Sequence, residues 1–212
     1  MSKPAPPPQR RHSDRETYDD LSEFTAEIAD QVESFVVAVR EVAAGENPDT
    51  AVSLLLLEVS QLLLAGGRLG AIQDVVPVER FEPDPGGDPD VDGLRSSLAN
   101  LLEPIDDYTV VFDPYAHPAE LVPARLSDDL AGVTADLVHG LTHFREGRTD
   151  EALWWWQFSY LSNWGTTAGM ALRALQSVVS HARLDAAEVV DEATLAEDTL
   201  LAETVVQVTE AD

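Results

Sequence analysis

The chain has 212 residues, 44% of them hydrophobic, no cysteine and a formal net charge of −26. That length holds one sizeable core with tails, and the missing thiols exclude disulfides, a thiolate zinc site and a cysteine nucleophile. A body this acidic repels phosphate backbones, so direct nucleic-acid binding is disfavoured.

Residues 1–14 are proline-rich and basic, and read as a disordered tail. The start, MSKPAPPPQRRHSDRE, has no apolar stretch of the kind a secretory signal needs, so a soluble cytoplasmic protein is expected. From about Glu16 to Ala44, Leu21, Phe24, Ile28, Val32, Phe35, Val39 and Val42 recur at helical spacing. Asn47-Pro48 restarts the chain into a second helix, with Pro48 in its first turn and Gly66-Gly67 as its stop. Val52, Leu55, Leu56, Val59, Leu62 and Leu63 form one face of that helix, with Leu54, Leu57 and Leu64 opposite. Two apolar faces predict a central helix buried on both sides. Its run AVSLLLLEVSQLLLAG is short for a bilayer span and is broken by Glu58, Ser60 and Gln61, so no membrane association is expected.

PVERFEPDPGGDPDVD, residues 77–92, reads as a long loop. Within it Asp88, Asp90 and Asp92 alternate before Gly93, which matches the first half of a calcium loop. The closing glutamate falls on Ala99, so the match breaks there, and capping of the Leu94 helix by Asp90 or Asp92 is the plainer reading. An extended connector follows, with Tyr108 to Phe112 at best a brief strand among prolines. Ser127 or Asp128 can cap the next helix, which carries Leu126, Leu130, Val133, Leu137, Leu141 and Phe144 as its stripe. Asp129, Asp136, His139 and His143 share a sector roughly opposite that stripe. His139 and His143 have the i, i+4 spacing that can chelate a divalent metal, although the stretch is not HExxH and no second helix offers the remaining ligands.

Gly147 and Thr149 make the turn into a last core helix over about 150–182, an antiparallel hairpin. That helix opens with EALWWWQFSYLSNWG, which holds all four tryptophans. Three consecutive residues of a helix cannot face one core, since each turns about 100° from the last. A straight wheel centred on Trp154 places Phe158, Leu161, Gly165, Ala168, Leu172, Leu175 and Val179 in the core arc, with Trp164 beside them and Trp156 at the edge. Trp155 falls elsewhere, with Ser159, Ser162, Thr166 and Arg173. Either another segment covers it, such as the Tyr108–Tyr115 connection, or this face is a partner or dimer contact. Residues 184–212 carry nine acids and no base, and read as a largely disordered acidic tail.

EALWWWQFSYLSNWGTTAGMALRALQ, with YTVVFDP and LSDDLAGVTADLVHGL upstream, resembles an uncharacterised bacterial family, the domain-of-unknown-function 5063 family. The resemblance covers roughly residues 18–182. It implies a mainly helical fold and carries no activity and no catalytic residue.

The expected architecture is all-α: a single domain over residues 15–183, a bundle of four to five main helices with a long loop and an extended connector. No nucleophile elbow or phosphate loop is present, so the residues favour a non-enzymatic interaction or scaffold protein, acting on another protein or on itself. The alternative is a metal- or small-molecule-binding helical protein with room for catalysis. No cofactor is predicted; a divalent metal is the one addition these patterns admit.

Overall fold

The computed structural model describes residues 10–45, 48–77, 87, 89–111 and 113–184. Helix α1 (Arg10–Ala44) begins before the expected start near Glu16. The apolar stripe begins only at Leu21, and periodicity alone therefore reads the helix too short. Ile28, Val32, Phe35 and Val39, spaced by three and four, are all buried on its inner face.

Helix α2 (Pro48–Ala71) runs antiparallel to α1, with Arg68 paired to Glu27 near its end. It passes straight through the expected stop at Gly66-Gly67. These glycines serve packing: a Cβ on Gly66 would overlap the Tyr160 and Trp164 rings, and one on Gly70 would crowd Tyr160 at 3.1 Å. The longer helix makes Thr50–Ala71 long and apolar enough, by length and composition, to cross a membrane. Leu55, Val59, Leu62 and Leu69 are core residues of the bundle. The opposite side departs from expectation. Leu54, Leu57 and Leu64 are 46%, 51% and 72% exposed, because among the described residues α2 packs against α1 and the tryptophan helix through its other side.

Helix α3 (Asp92–Leu101) is short and buries Leu98. A β-hairpin follows instead of an irregular connector: β1 (Asp107–Val111) pairs antiparallel with β2 (Leu121–Arg125), Tyr108 opposite Ala124 and Val110 opposite Val122. Pro123 hid the second strand from the sequence reading. In a two-stranded sheet both strands are edges, so a residue without an N–H can point that side outward. Asp106, at the root of the hairpin, is 2% exposed. Its carboxylate accepts from the Ser127 N–H at 2.7 Å, the Ser127 hydroxyl at 2.8 Å and Arg125 Nη2 at 2.7 Å. Asp106 therefore caps helix α4 (Leu126–Arg145) from 21 residues away, where a local cap by Ser127 or Asp128 was expected.

Helix α4 turns at Gly147, whose φ of +78° suits a residue without a Cβ, into α5 (Thr149–Ser159). A π-turn (Tyr160–Trp164) joins α5 to α6, residues 165–184, in one continuous rod. The α4–α5 hairpin was expected; the π-turn was not. Among the described residues the result is a mostly helical bundle of five helical rods with a small two-stranded sheet. Its single core joins α1, α2, α3, α4 and the tryptophan rod.

Candidate functional site

The π-turn decides which way the tryptophans face. Its wider turn winds the helix back by about one residue's rotation, roughly 100°. Leu153 and Trp156 before it then line up with Trp164, Ala168, Ala171 and Leu175 after it, and all six are buried. The straight wheel had put Trp156 at the edge and Phe158 and Leu161 in the core. In the structure Phe158 is 50% and Leu161 62% exposed.

The three consecutive tryptophans take three different places. Trp156 is fully buried beneath α4 and donates its indole N–H to the Leu137 carbonyl at 3.2 Å. Gly140 makes that approach possible, since a Cβ there would overlap the indole. Trp155 lies half-buried on the same helix and donates to the Asp136 carbonyl, one residue earlier, at 2.8 Å. The pair thus straddles α4 through consecutive carbonyls. Trp154 is half-buried and stacks on Phe158, with centroids 5.6 Å apart and planes 13° from parallel.

Around Trp155 a polar cluster forms. The His139 ring lies over its indole at 3.9 Å, and Asn163 in the π-turn donates to the Asp136 carboxylate at 2.7 Å. Burial raises the Asp136 pKa above the ordinary carboxylate value, against the opposing pulls of the Asn163 hydrogen bond and His139. Among the described residues, the cover over Trp155 comes from α4, through Asp136 and His139.

The four residues expected to share a contact face with Trp155 are split. Ser159 is buried and donates to the Trp155 carbonyl at 2.6 Å. Ser162, Thr166 and Arg173 are exposed; Ser162 donates to the Phe158 carbonyl at 2.7 Å, and Arg173 hydrogen-bonds Gln176. The apolar ridge nearest the solvent here is instead the exposed Phe158 and Leu161, with the half-buried Trp154 stacked on Phe158.

The expected metal set is also distributed. Asp136 and His139 belong to the Trp155 cluster. His143 is fully buried, edge-on to His139 at 5.3 Å, and accepts at Nδ1 from Arg148 Nε at 3.1 Å. Asp129 sits two turns nearer the start of α4 and accepts the Tyr108 hydroxyl. Among the described residues no group of three or more His, Cys, Asp or Glu side chains is placed to hold a metal ion. In the calcium-like loop, Asp88 lies outside the described residues. Asp90 accepts the Asp92 N–H at 3.1 Å at the start of α3, and Asp92 pairs with Arg95. Asp90 thus closes a turn just ahead of α3, whose N-cap position is Val91, with no side-chain cap hydrogen bond; the expected cap by Asp90 or Asp92 is not what the structure shows.

Tyr108 and Asp129 mark a second location. They line a groove of about 750 Å³ under the hairpin, with Arg125, Asp128, Pro123 and Met170. Burial, the bond to Asp129 and its charge raise the Tyr108 pKa above the usual phenol range. Burial likewise raises Asp129; the Tyr108 hydrogen bond opposes this, and Asp128 and Asp106 add to it. Sequence reading passed over Tyr108 and Asn163, because neither carries a motif and each gains its partner only across the fold.

Among solved structures, the chain is similar to the crystal structure of protein BF1032 from Bacteroides fragilis, with a TM-score of 0.56 and 21% identity, over 72% of this chain and 90% of that one. At that identity the likeness concerns the fold alone. No curated protein matches the chain. A family model described as "Domain of unknown function (DUF5063)" matches residues 19–181, nearly all of the helical bundle and neither tail. On that match the chain belongs to the domain-of-unknown-function 5063 family.

Proposed function

We propose that the chain is a non-enzymatic interaction bundle whose contact face is the ridge of Trp154, Phe158 and Leu161. The observation that carries this reading is the stacked Trp154–Phe158 pair on α5, followed along the same rod by the exposed Leu161 of the π-turn. Large apolar side chains on a rigid element, rimmed by polar groups, are the usual anchors of protein interfaces. Here the rim is Asn163 and Ser162, and Trp155 is held from below by α4. The net charge of −26 favours a basic protein partner, chiefly by steering its approach.

The test replaces Phe158 and Leu161 with serine together. Both are surface residues, so melting and circular dichroism should stay close to wild type. Native mass spectrometry of protein purified from its own host should show an associated protein with the wild-type chain and none with the variant. Equal association in both would sink this reading.

The groove under the hairpin favours a second reading, small-molecule binding against Tyr108 and Asp129. In that case the same spectra would show a small fixed mass on the monomer, removed by Tyr108→Phe and untouched by the serine variant.

A further inference from the structure

The outer face of α2 is a separate feature. Leu54, Leu57, Gln61, Leu64 and Arg68 follow one another at spacings of three, four, three and four, the seam of a helix that packs against another helix. The three leucines on it are about half-exposed or more. Two shallow hollows lie along the α1–α2 seam. One, about 340 Å³, lies beside Leu54 with Ala38, Glu41 and Glu58. The other, about 320 Å³, lies beside Leu64 with Glu27, Asp30 and Arg68. Leu54 and Leu64 are ten residues apart, about 15 Å along the helix. That distance suits anchors nearly three turns apart on a docked helix.

The charge around the seam selects the occupant. Glu27, Asp30, Glu41 and Glu58 border it, while Arg68, the one base among the described lining residues, is already paired to Glu27. A second copy would bring two acidic borders together, and like charges across an interface are unfavourable. An anionic membrane surface would be repelled in the same way. We infer that the α1–α2 face docks a basic amphipathic helix of a partner protein, its leucine-type side chains on Leu54, Leu57 and Leu64 and its lysines or arginines on the acidic border. This rests on reading the chain as an interaction bundle, but uses a different surface from the aromatic ridge.

The test uses the full chain and a labelled synthetic peptide of leucine and lysine with a heptad leucine stripe. A scrambled peptide of the same composition and charge is the control, read by fluorescence anisotropy. The striped peptide should bind, and the scrambled one at least about tenfold more weakly, because the loss of a central apolar anchor typically costs that much or more. Leu57→Asp with Leu64→Asp should weaken striped-peptide binding at least about tenfold although it adds negative charge, and raising the salt to about 0.5 M should weaken it too. The Phe158/Leu161 serine variant should bind the peptide like wild type, so a failure of the ridge and a failure of this face can be told apart. Equal binding of the two peptides would reduce the effect to bulk charge and overturn the inference. Undiminished binding by the aspartate variant would also overturn it. So would a wild-type dimer in light scattering that the aspartate variant dissolves, or sedimentation with phosphatidylcholine vesicles that the variant loses.

Discussion

Gln157 is a residue whose importance is invisible in sequence. It sits next to the tryptophans and is 4% exposed. Its amide donates to the Leu69 carbonyl at 2.9 Å and the Gln73 carbonyl at 3.2 Å, and accepts the Val75 N–H at 2.7 Å. One side chain thus satisfies a carbonyl at the end of α2 and two backbone groups of the segment that follows it. Gln157→Ala should destabilise the fold by about 2 kcal/mol, since buried backbone groups lose their partners. Urea titration checks this: the midpoint should fall with the slope unchanged, and an unshifted midpoint would mean that water replaces the amide. Asp106 does similar work for the start of α4. Both act across long sequence separations, where local cap patterns carry no signal. By contrast the apolar stripes of α1 and α4 were legible, because periodicity alone places Ile28, Val32, Leu130 and Leu137 inside.

At the level of elements, a local pattern misleads where a neighbouring element sets the outcome. Gly66 and Gly70 look like helix breakers until Tyr160 is laid across them. Pro123 looks like an obstacle to pairing until the sheet proves to have only two strands. The π-turn is the largest departure, because a five-residue change in winding moved Phe158 and Leu161 out of the core and Trp156 into it. This gives a direct test. Deleting Ser162, an exposed residue of the π-turn, should let the rod close into a regular α-helix. Trp156 and Leu175 could then no longer face the core together, since the phase between them shifts by about 100°. The expected result is a chain with near-native helix content but a broad, non-cooperative melt and a much weakened near-ultraviolet circular dichroism. A deletion variant that melts as sharply as wild type would show that the two halves of the rod are not locked in register.

For the whole molecule, charge governs how stability responds to pH. Asp129 and Asp136 both have raised pKa values, chiefly through burial. For an acid so shifted, the folded state holds its proton more tightly than the unfolded chain does. The stabilisation is complete below the ordinary value of 3.8 and is lost as pH rises through the raised folded value. Mild acid also relieves the self-repulsion of a chain at −26. The melting temperature should therefore rise between pH 7 and about pH 5. Asp129→Asn with Asp136→Asn should melt higher than wild type at neutral pH and gain less on acidification. Parallel curves for the two proteins would show that neither carboxylate contributes.

The placement of all four tryptophans within eleven positions, Trp154 to Trp164, gives the protein a built-in optical probe. Near-ultraviolet excitation selects one rod and its contact with α4. Trp156 and Trp164 are sealed in the interior, whereas Trp154 and Trp155 lie nearer the surface. A soluble quencher should therefore extinguish the longer-wavelength part of the emission first. Any occupant of the aromatic ridge would shield that part without a dye or a label, while one seated on α2 would leave it almost unchanged.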